Sequence, residues 1–127
     1  MNIFDFLKIK LKQRSISFNI GDSIIVRKGT LDPDFGFDIS EWQGRIKELD
    51  SLDSVLIEWD SITLSNMDFN ILVKCEIDDL DWKKMSLLKS EIEKSTPRDS
   101  KNDVKRMAQH LFYRLRRDRR VLAAEAD

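Results

Sequence analysis

The fold is decided by the sequence VLIEWDSITL at residues 55–64, which opens with the clearest β-strand pattern of the chain. Residues 55–59 are rich in β-branched and aromatic side chains, a composition typical of half-buried strands. Asp60 and Ser61 then predict a turn, and the short segment 62–64 predicts a further strand. We therefore expect a sheet to form around residues 55–59.

Strand-like patterns continue on both sides of this stretch. Residues 15–20 alternate polar and apolar side chains, and residues 23–27 are β-branched. Residues 43–49 and 71–75 are also predicted as strands, with a single helical turn at 65–67 just before the last one. Short strands joined by turns favour a small five-stranded barrel, because closure removes exposed sheet edges.

Helical periodicity marks the two ends of the chain. Ile3, Phe4, Leu7 and Leu11 predict an amphipathic helix that either packs on its own domain or docks on a membrane surface or a partner. Near the other end, residues 100–103 form a capping box, which predicts a C-terminal amphipathic helix. The fold class is thus mainly β with flanking helices (α+β): an N-terminal short helix at 1–14, the barrel at 15–82, and a helical extension with a basic end at 83–127, in which 86–94 is compatible with helix.

The charges are segregated along the chain, although the net charge is only −1. Residues 31–81 carry three Lys or Arg against fourteen Asp or Glu, whereas residues 101–120 carry eight against two. Such blocks indicate interaction surfaces more than overall net charge does. The acidic body would repel phosphate, so the pattern favours a protein partner or self-association over nucleic acid.

Cys75 is the only cysteine, so neither an intramolecular disulfide nor a thiolate metal cluster is available. No apolar run reaches the roughly 7–15 residues of a secretory signal or the ~20 of a membrane span. We expect a cytoplasmic protein.

Two stretches resemble a known kind of barrel. The first is GDSIIVRKG at 21–29, continuing through the loop to ISEWQGRI at 39–46, and the second is the stretch at 55–64. They are similar to SH3-like barrels, including the KOW and Tudor groups, and to small uncharacterised bacterial proteins built on such a barrel, some of which carry a calcium-binding label. The resemblance covers roughly residues 18–82. It implies an SH3-like barrel but does not choose among protein, peptide and nucleic-acid ligands.

The loop at residues 32–41 is the most chemically suggestive segment. Asp32, Asp34 and Asp38 could supply oxygen ligands for Ca²⁺, although the spacing departs from the EF-hand pattern. The alternative is a purely structural loop, in which Phe35, Phe37 and Ile39 pack across the barrel mouth. Ca²⁺ is therefore a possible cofactor, and no other is predicted.

Trp42, Trp59 and Trp82 could form an aromatic patch for a cationic group, with Asp60 among the acidic residues on its rim. Core packing is the competing interpretation. Trp42 is the best candidate for exposure, because it lies where a loop meets a strand. We predict partner-binding roles for Trp42, Trp59 and Asp60.

An arginine-rich run follows the C-terminal helix pattern. Its members can meet a protein partner or a second copy of the chain, end the helix in solvent, or contact phosphates with steep salt dependence. The residues predicted to bind a partner here are Arg114, Arg116, Arg117, Arg119 and Arg120.

Catalysis has little support in the sequence. His110 is the only histidine and has no evident nucleophile partner, while Cys75 lies in an apolar segment where burial is expected. The sequence therefore predicts a non-enzymatic interaction module for a protein partner, with a Ca²⁺-binding structural domain and a nucleic-acid binder as alternatives.

Overall fold

A computed structural model of the chain describes residues 2–5 and 17–126. Three predicted strands are present in it: β1 (Ser23–Val26), β2 (Gln43–Glu48) and β3 (Ser54–Trp59). Alternate residues of each strand are buried, as expected where one face of a sheet covers a core. These three strand predictions are confirmed.

The sheet is completed by two short strands that the sequence interpretation missed. They are β4 (Lys84–Leu88) and β5 (Ile92–Lys94), joined by a 3₁₀ turn at Lys89–Glu91. All neighbours are antiparallel, and the order is β4-β3-β2-β1-β5. No pairing joins β4 to β5 among the residues described, so the sheet is open and the fold is α+β without a closed barrel.

The segment 86–94 forms strands because its apolar residues face the core at alternating positions. Leu87 is buried opposite Val55 of β3, and Ile92 is buried opposite Val26 of β1. These alternations span only a few residues, too short to stand out from a helical pattern. The possible helix at 86–94 is therefore wrong, apart from the 3₁₀ turn.

Two predicted strands, at 62–64 and 71–75, are helices. They lie in α1 (Ser61–Asn66) and α2 (Phe69–Ile77). Each helix begins after an aspartate whose carboxylate accepts a backbone hydrogen bond: Asp60 from Thr63 N at 2.8 Å, and Asp68 from Asn70 N at 2.9 Å. An aspartate cap of this kind stabilises the first turn by about 1 kcal/mol. Capping thus overrides the β-branched composition of both segments, and the turn predicted at 65–67 is the end of a longer helix.

The C-terminal helix forms as predicted. In α3 (Lys101–Leu115), Ser100 Oγ accepts a hydrogen bond from Asp103 N at 3.2 Å, and the Asp103 carboxylate accepts one from Ser100 N at 2.9 Å. The capping box is therefore confirmed. A second helix, α4 (Arg119–Ala126), follows after a short break and buries Val121 against the rest of the chain.

The core is one cluster to which strands β1 to β5 and helices α1 to α4 contribute. Its fully buried members include Ile24, Val26, Ile46, Val55, Ile57, Trp59, Leu64, Leu72, Ile92 and Leu115. No helix of the described residues is long and apolar enough to cross a membrane.

Two N-terminal predictions are only partly covered. Of the helix predicted at 1–14, residues 3–5 are helical and the remainder lies outside the described residues. Of the strand predicted at 15–20, residues 17–20 are not a strand, although Phe18 is buried in the core.

Candidate functional site

The acidic loop between β1 and β2 is folded largely by its own carboxylates. Asp32 is buried, and its Oδ2 accepts hydrogen bonds from the backbone N–H groups of Asp34, at 3.1 Å, and Phe35. Asp38 Oδ1 accepts hydrogen bonds from the backbone N–H, at 2.8 Å, and the hydroxyl of Ser40. Two of the three predicted Ca²⁺ ligands thus hold the loop in shape.

These carboxylates do not assemble into a cation site. In the parts of the chain that the structure describes, no group of three or more His, Cys, Asp or Glu side chains could hold a metal ion. The hydrogen bonds from Ser40 lower the pKa of Asp38, which is a local effect of the turn. The Ca²⁺ alternative for Asp32, Asp34 and Asp38 gains no support from this geometry.

Four aromatic rings form a continuous row from the loop to the end of β3. The ring centroids are 6.4 Å apart between Phe35 and Phe37, 5.7 Å between Phe37 and Trp42, and 5.1 Å between Trp42 and Trp59. Phe35, Phe37 and Trp42 are each half-buried, whereas Trp59 is only 1% exposed. Spacings of this size are those of favourable aromatic pairs. The row is anchored in the core at one end and accessible along the rest.

This row lines a groove of about 590 Å³. A concave, mostly apolar site of this size with a few polar groups is the usual form of a ligand site. The remaining apolar lining comes from the acidic loop, β3, the end of α1, α2, and β4 with the segment before it. We call this surface the aromatic groove; besides the four rings, its apolar lining consists of Pro33, Leu56, Met67, Ile71, Cys75, Leu80, Trp82 and Met85.

The sequence interpretation found the aromatic residues of the groove but missed its α2 side. The prediction of a strand at 71–75 separates Ile71 and Cys75 by roughly 13 Å. In α2 they lie one helical turn apart on one face. Asp68 was the available signal, since an aspartate directly before an apolar run is a typical helix cap. Trp82 is held by a hydrogen bond from its Nε1 to Glu76 Oε1 at 2.7 Å and is 5% exposed.

The groove has an acidic environment. Asp34 and Asp81 are exposed carboxylates in its lining, and Asp81 pairs with Lys83 at 3.6 Å and with Lys84, which also lines the groove, at 3.9 Å. Burial raises the pKa of the Cys75 thiol to about 11, and the negative charges of Asp32 and Asp34 contribute to this increase. The thiol is therefore protonated near neutral pH. At the rim, Lys74 Nζ lies 4.4 Å from the centroid of the Phe35 ring. A positive group of a ligand can approach Asp34 and the face of an exposed ring there, as Lys74 does at Phe35.

Asp60 lies elsewhere, in a buried ionic clasp. It is 4% exposed and receives two hydrogen bonds from Arg98, Nε to Oδ2 at 2.7 Å and Nη2 to Oδ1 at 3.1 Å. Arg98 Nη2 also donates to Thr63 Oγ1 at 2.9 Å. The Asp60 carboxylate is therefore already paired within the fold, and it does not lie on an exposed aromatic patch.

The clasp continues through Asp99, whose side chain is 4% exposed. Asp99 Oδ2 accepts a hydrogen bond from Ser61 N at 2.7 Å, while Oδ1 lies 2.8 Å from Arg45 Nη2 as an ion pair without hydrogen-bond alignment. Burial alone would raise the pKa of Asp99, but the Ser61 hydrogen bonds and Arg45 together lower it. We call Arg45, Asp60, Thr63, Arg98 and Asp99 the strap clasp, because they tie the segment before α3 to β2 and α1.

The arginine-rich run is exposed, and several of its members contact the chain itself. The Arg114 guanidinium lies 3.9 Å from the Phe69 ring centroid, and Arg116 lies 4.6 Å from that of Phe112. Arg120 pairs with Asp118 at 3.0 Å and donates to Asn70 Oδ1 at 2.8 Å. Arg117 donates to Tyr113 O at 3.3 Å, and Arg119 is exposed. The run therefore helps to fix α3 and α4 against α2 while keeping its charge at the surface.

The two residues considered for catalysis lie on different helices and differ in exposure. His110 is exposed on α3, whereas Cys75 is buried in α2 at the aromatic groove. No family model, curated protein or solved structure matches the chain. The arguments for function therefore come from the aromatic groove and the charged surfaces.

Proposed function

We propose that this chain is a non-enzymatic interaction module whose aromatic groove binds a short extended segment of a protein partner. The observation that carries the proposal is the row of four rings, from Phe35 to Trp59, in a groove with carboxylates in its lining. Aromatic side chains dominate the energetics of such contacts because each offers a large rigid surface.

The preferred segment carries apolar side chains and one Lys or Arg. Full burial of an aliphatic or aromatic side chain contributes roughly 1.5–3 kcal/mol, whereas an exposed ion pair contributes at most about 1 kcal/mol. Affinity therefore comes from contacts with Phe37 and Trp42. The carboxylate of Asp34 selects the positive side chain and its orientation.

Three further features support this interpretation. The strand order β4-β3-β2-β1-β5, with a 3₁₀ turn directly before the last strand, supports an opened SH3-like sheet. The exposed arginines of 114–120 remain available as a second partner contact, in keeping with the charge segregation. A reducing cytoplasmic location suits the single buried Cys75.

The test is selection of peptides from a random display library on the wild-type protein, followed by titrations monitored by tryptophan fluorescence. We expect enriched peptides to combine apolar residues with a Lys or Arg. The double variant Phe37→Ala/Trp42→Ala should weaken their binding by at least about tenfold, since it removes two rings of the groove.

The matched control is Leu52→Ala, which removes an apolar side chain that is 87% exposed in the loop between β2 and β3. It should leave binding unchanged. Circular dichroism of both variants checks that the fold is intact. Selected peptides that bind the folded double variant as tightly as the wild type would refute the groove as the binding site.

A further inference from the structure

A second surface, which shares no lining residue with the aromatic groove, carries a concentration of lysines. Its lysines are Lys47 of β2, Lys83 before β4, and Lys101 and Lys105 of α3, and its carboxylate is that of Glu58. They line two depressions of about 310 and 260 Å³ that have Glu58 and Lys101 in common. We call this surface the lysine depression.

Positive charge is in excess at this surface. Lys47 Nζ lies 3.7 Å from Glu58 Oε2, and Lys83 Nζ lies 3.6 Å from Asp81 Oδ1, both as partly exposed pairs. Lys101 and Lys105 are exposed, one helical turn apart on α3. The lining of the two depressions thus carries five cationic side chains, Arg45 among them, and one carboxylate, that of Glu58.

The floor of the lysine depression is aliphatic. Leu64, Val104 and Ala108 contribute to one half, and Ile46 and Val104 to the other. Ile20, at the edge of the second half, is 67% exposed. A ligand that fits this surface has negative groups for the lysines and an aliphatic group for the floor.

We infer that the lysine depression binds an acidic segment of a protein partner, with Asp or Glu side chains on the lysines and a Leu, Ile or Val on the floor. Nucleic acid fits less well, because the lining contains no aromatic ring on which a base could stack. The one arginine in it, Arg45, is already engaged by Asp99 and is not available for bidentate contact with phosphate.

The test uses a fluorescein-labelled peptide of repeated Glu-Glu-Leu units, followed by fluorescence anisotropy. The comparison probes are the same peptide with Gln in place of Glu and a short DNA duplex. We expect the acidic peptide to bind, more weakly as ionic strength rises to about 0.15 M, and the Gln peptide not to bind. Lys101→Ala/Lys105→Ala should weaken binding by about tenfold, and it should fold normally because Ala is favourable in helices.

Lys28→Ala/Lys94→Ala is the matched control, since it removes the same charge at the β1–β5 edge of the sheet. It should retain binding, as should the groove variant Phe37→Ala, so this test does not depend on the proposed groove. Absence of binding, or equal binding by the Lys101/Lys105 variant and the wild type, would overturn the inference. Binding of the duplex but not of the peptide, lost in that variant, would overturn it in favour of nucleic acid.

Discussion

The strap clasp and the aromatic groove use the same residue types in opposite ways. In the clasp, Asp60 and Asp99 are buried and paired with arginines at distances of 2.7–2.8 Å. In the groove, Asp34 is exposed beside half-buried rings. Buried charges must be compensated within the fold, whereas exposed ones cost little and remain available to a ligand. The comparison separates carboxylates that hold this fold together from carboxylates that can serve binding.

The largest expected effect is on the clasp. Arg98→Ala leaves the buried Asp60 carboxylate without its bidentate partner, which should lower the free energy of unfolding by roughly 3 kcal/mol. Urea denaturation measures this change. Arg27→Ala is the control, since it removes an exposed pair with Glu93 and should cost at most about 1 kcal/mol. Equal losses in the two variants would contradict the structural role given to the clasp.

Acid sensitivity should also differ between the two regions. The pKa of Asp99 is lowered from the ordinary value of an aspartate, so its stabilising contribution is complete above that ordinary value and is lost as pH falls through the lower folded pKa. Asp99→Asn should therefore flatten the decline of the melting temperature below about pH 4. Asp38→Asn, in the exposed loop, should flatten it less because solvent screens that carboxylate. An unchanged acid profile in Asp99→Asn would show that the clasp does not contribute to acid unfolding.

The smallest effect on stability is expected in the groove. Asp34→Asn should change the free energy of unfolding by less than about 0.5 kcal/mol, as for most exposed substitutions. It should nevertheless weaken binding of a Lys- or Arg-containing peptide, with little change for a matched peptide in which that residue is Gln. Thermal melts and fluorescence titrations measure the two properties separately. A large loss of stability would place Asp34 with the carboxylates that maintain the fold.

Part of this architecture was accessible from the sequence. The strands around residues 23–27, 43–49 and 55–59 and the helix starting after Ser100 follow from local patterns that the packing reinforces. The helices α1 and α2 were mistaken for strands because short β-branched runs are ambiguous, although Asp60 and Asp68 carried capping signals. The pairing of β4 and β5 with β3 and β1 depends on long-range contacts, which no local pattern encodes.

The residues of the candidate sites could be predicted from the sequence to different degrees. Phe35, Phe37 and Trp42 could be selected from the loop sequence, and Trp42 is the most exposed of the three tryptophans, as expected. The role of Asp60 could not be predicted from the sequence, because its partner Arg98 is distant along the chain. Arg98 approaches Asp60 only when the segment 95–100 before α3, which we call the strap, folds back. The lysine depression was missed for the same reason, since it combines β2, the start of β4 and α3.

The most direct test of the central claim is a map of amide chemical-shift changes in ¹⁵N-labelled protein on addition of a selected peptide. If the aromatic groove is the binding site, the largest changes should fall in residues 34–42, 71–75 and 80–82, which line it or adjoin its lining. The strap at 95–100 should change little. Changes confined to the strap, or to the lysine depression around Lys101 and Lys105, would contradict the assignment of the groove.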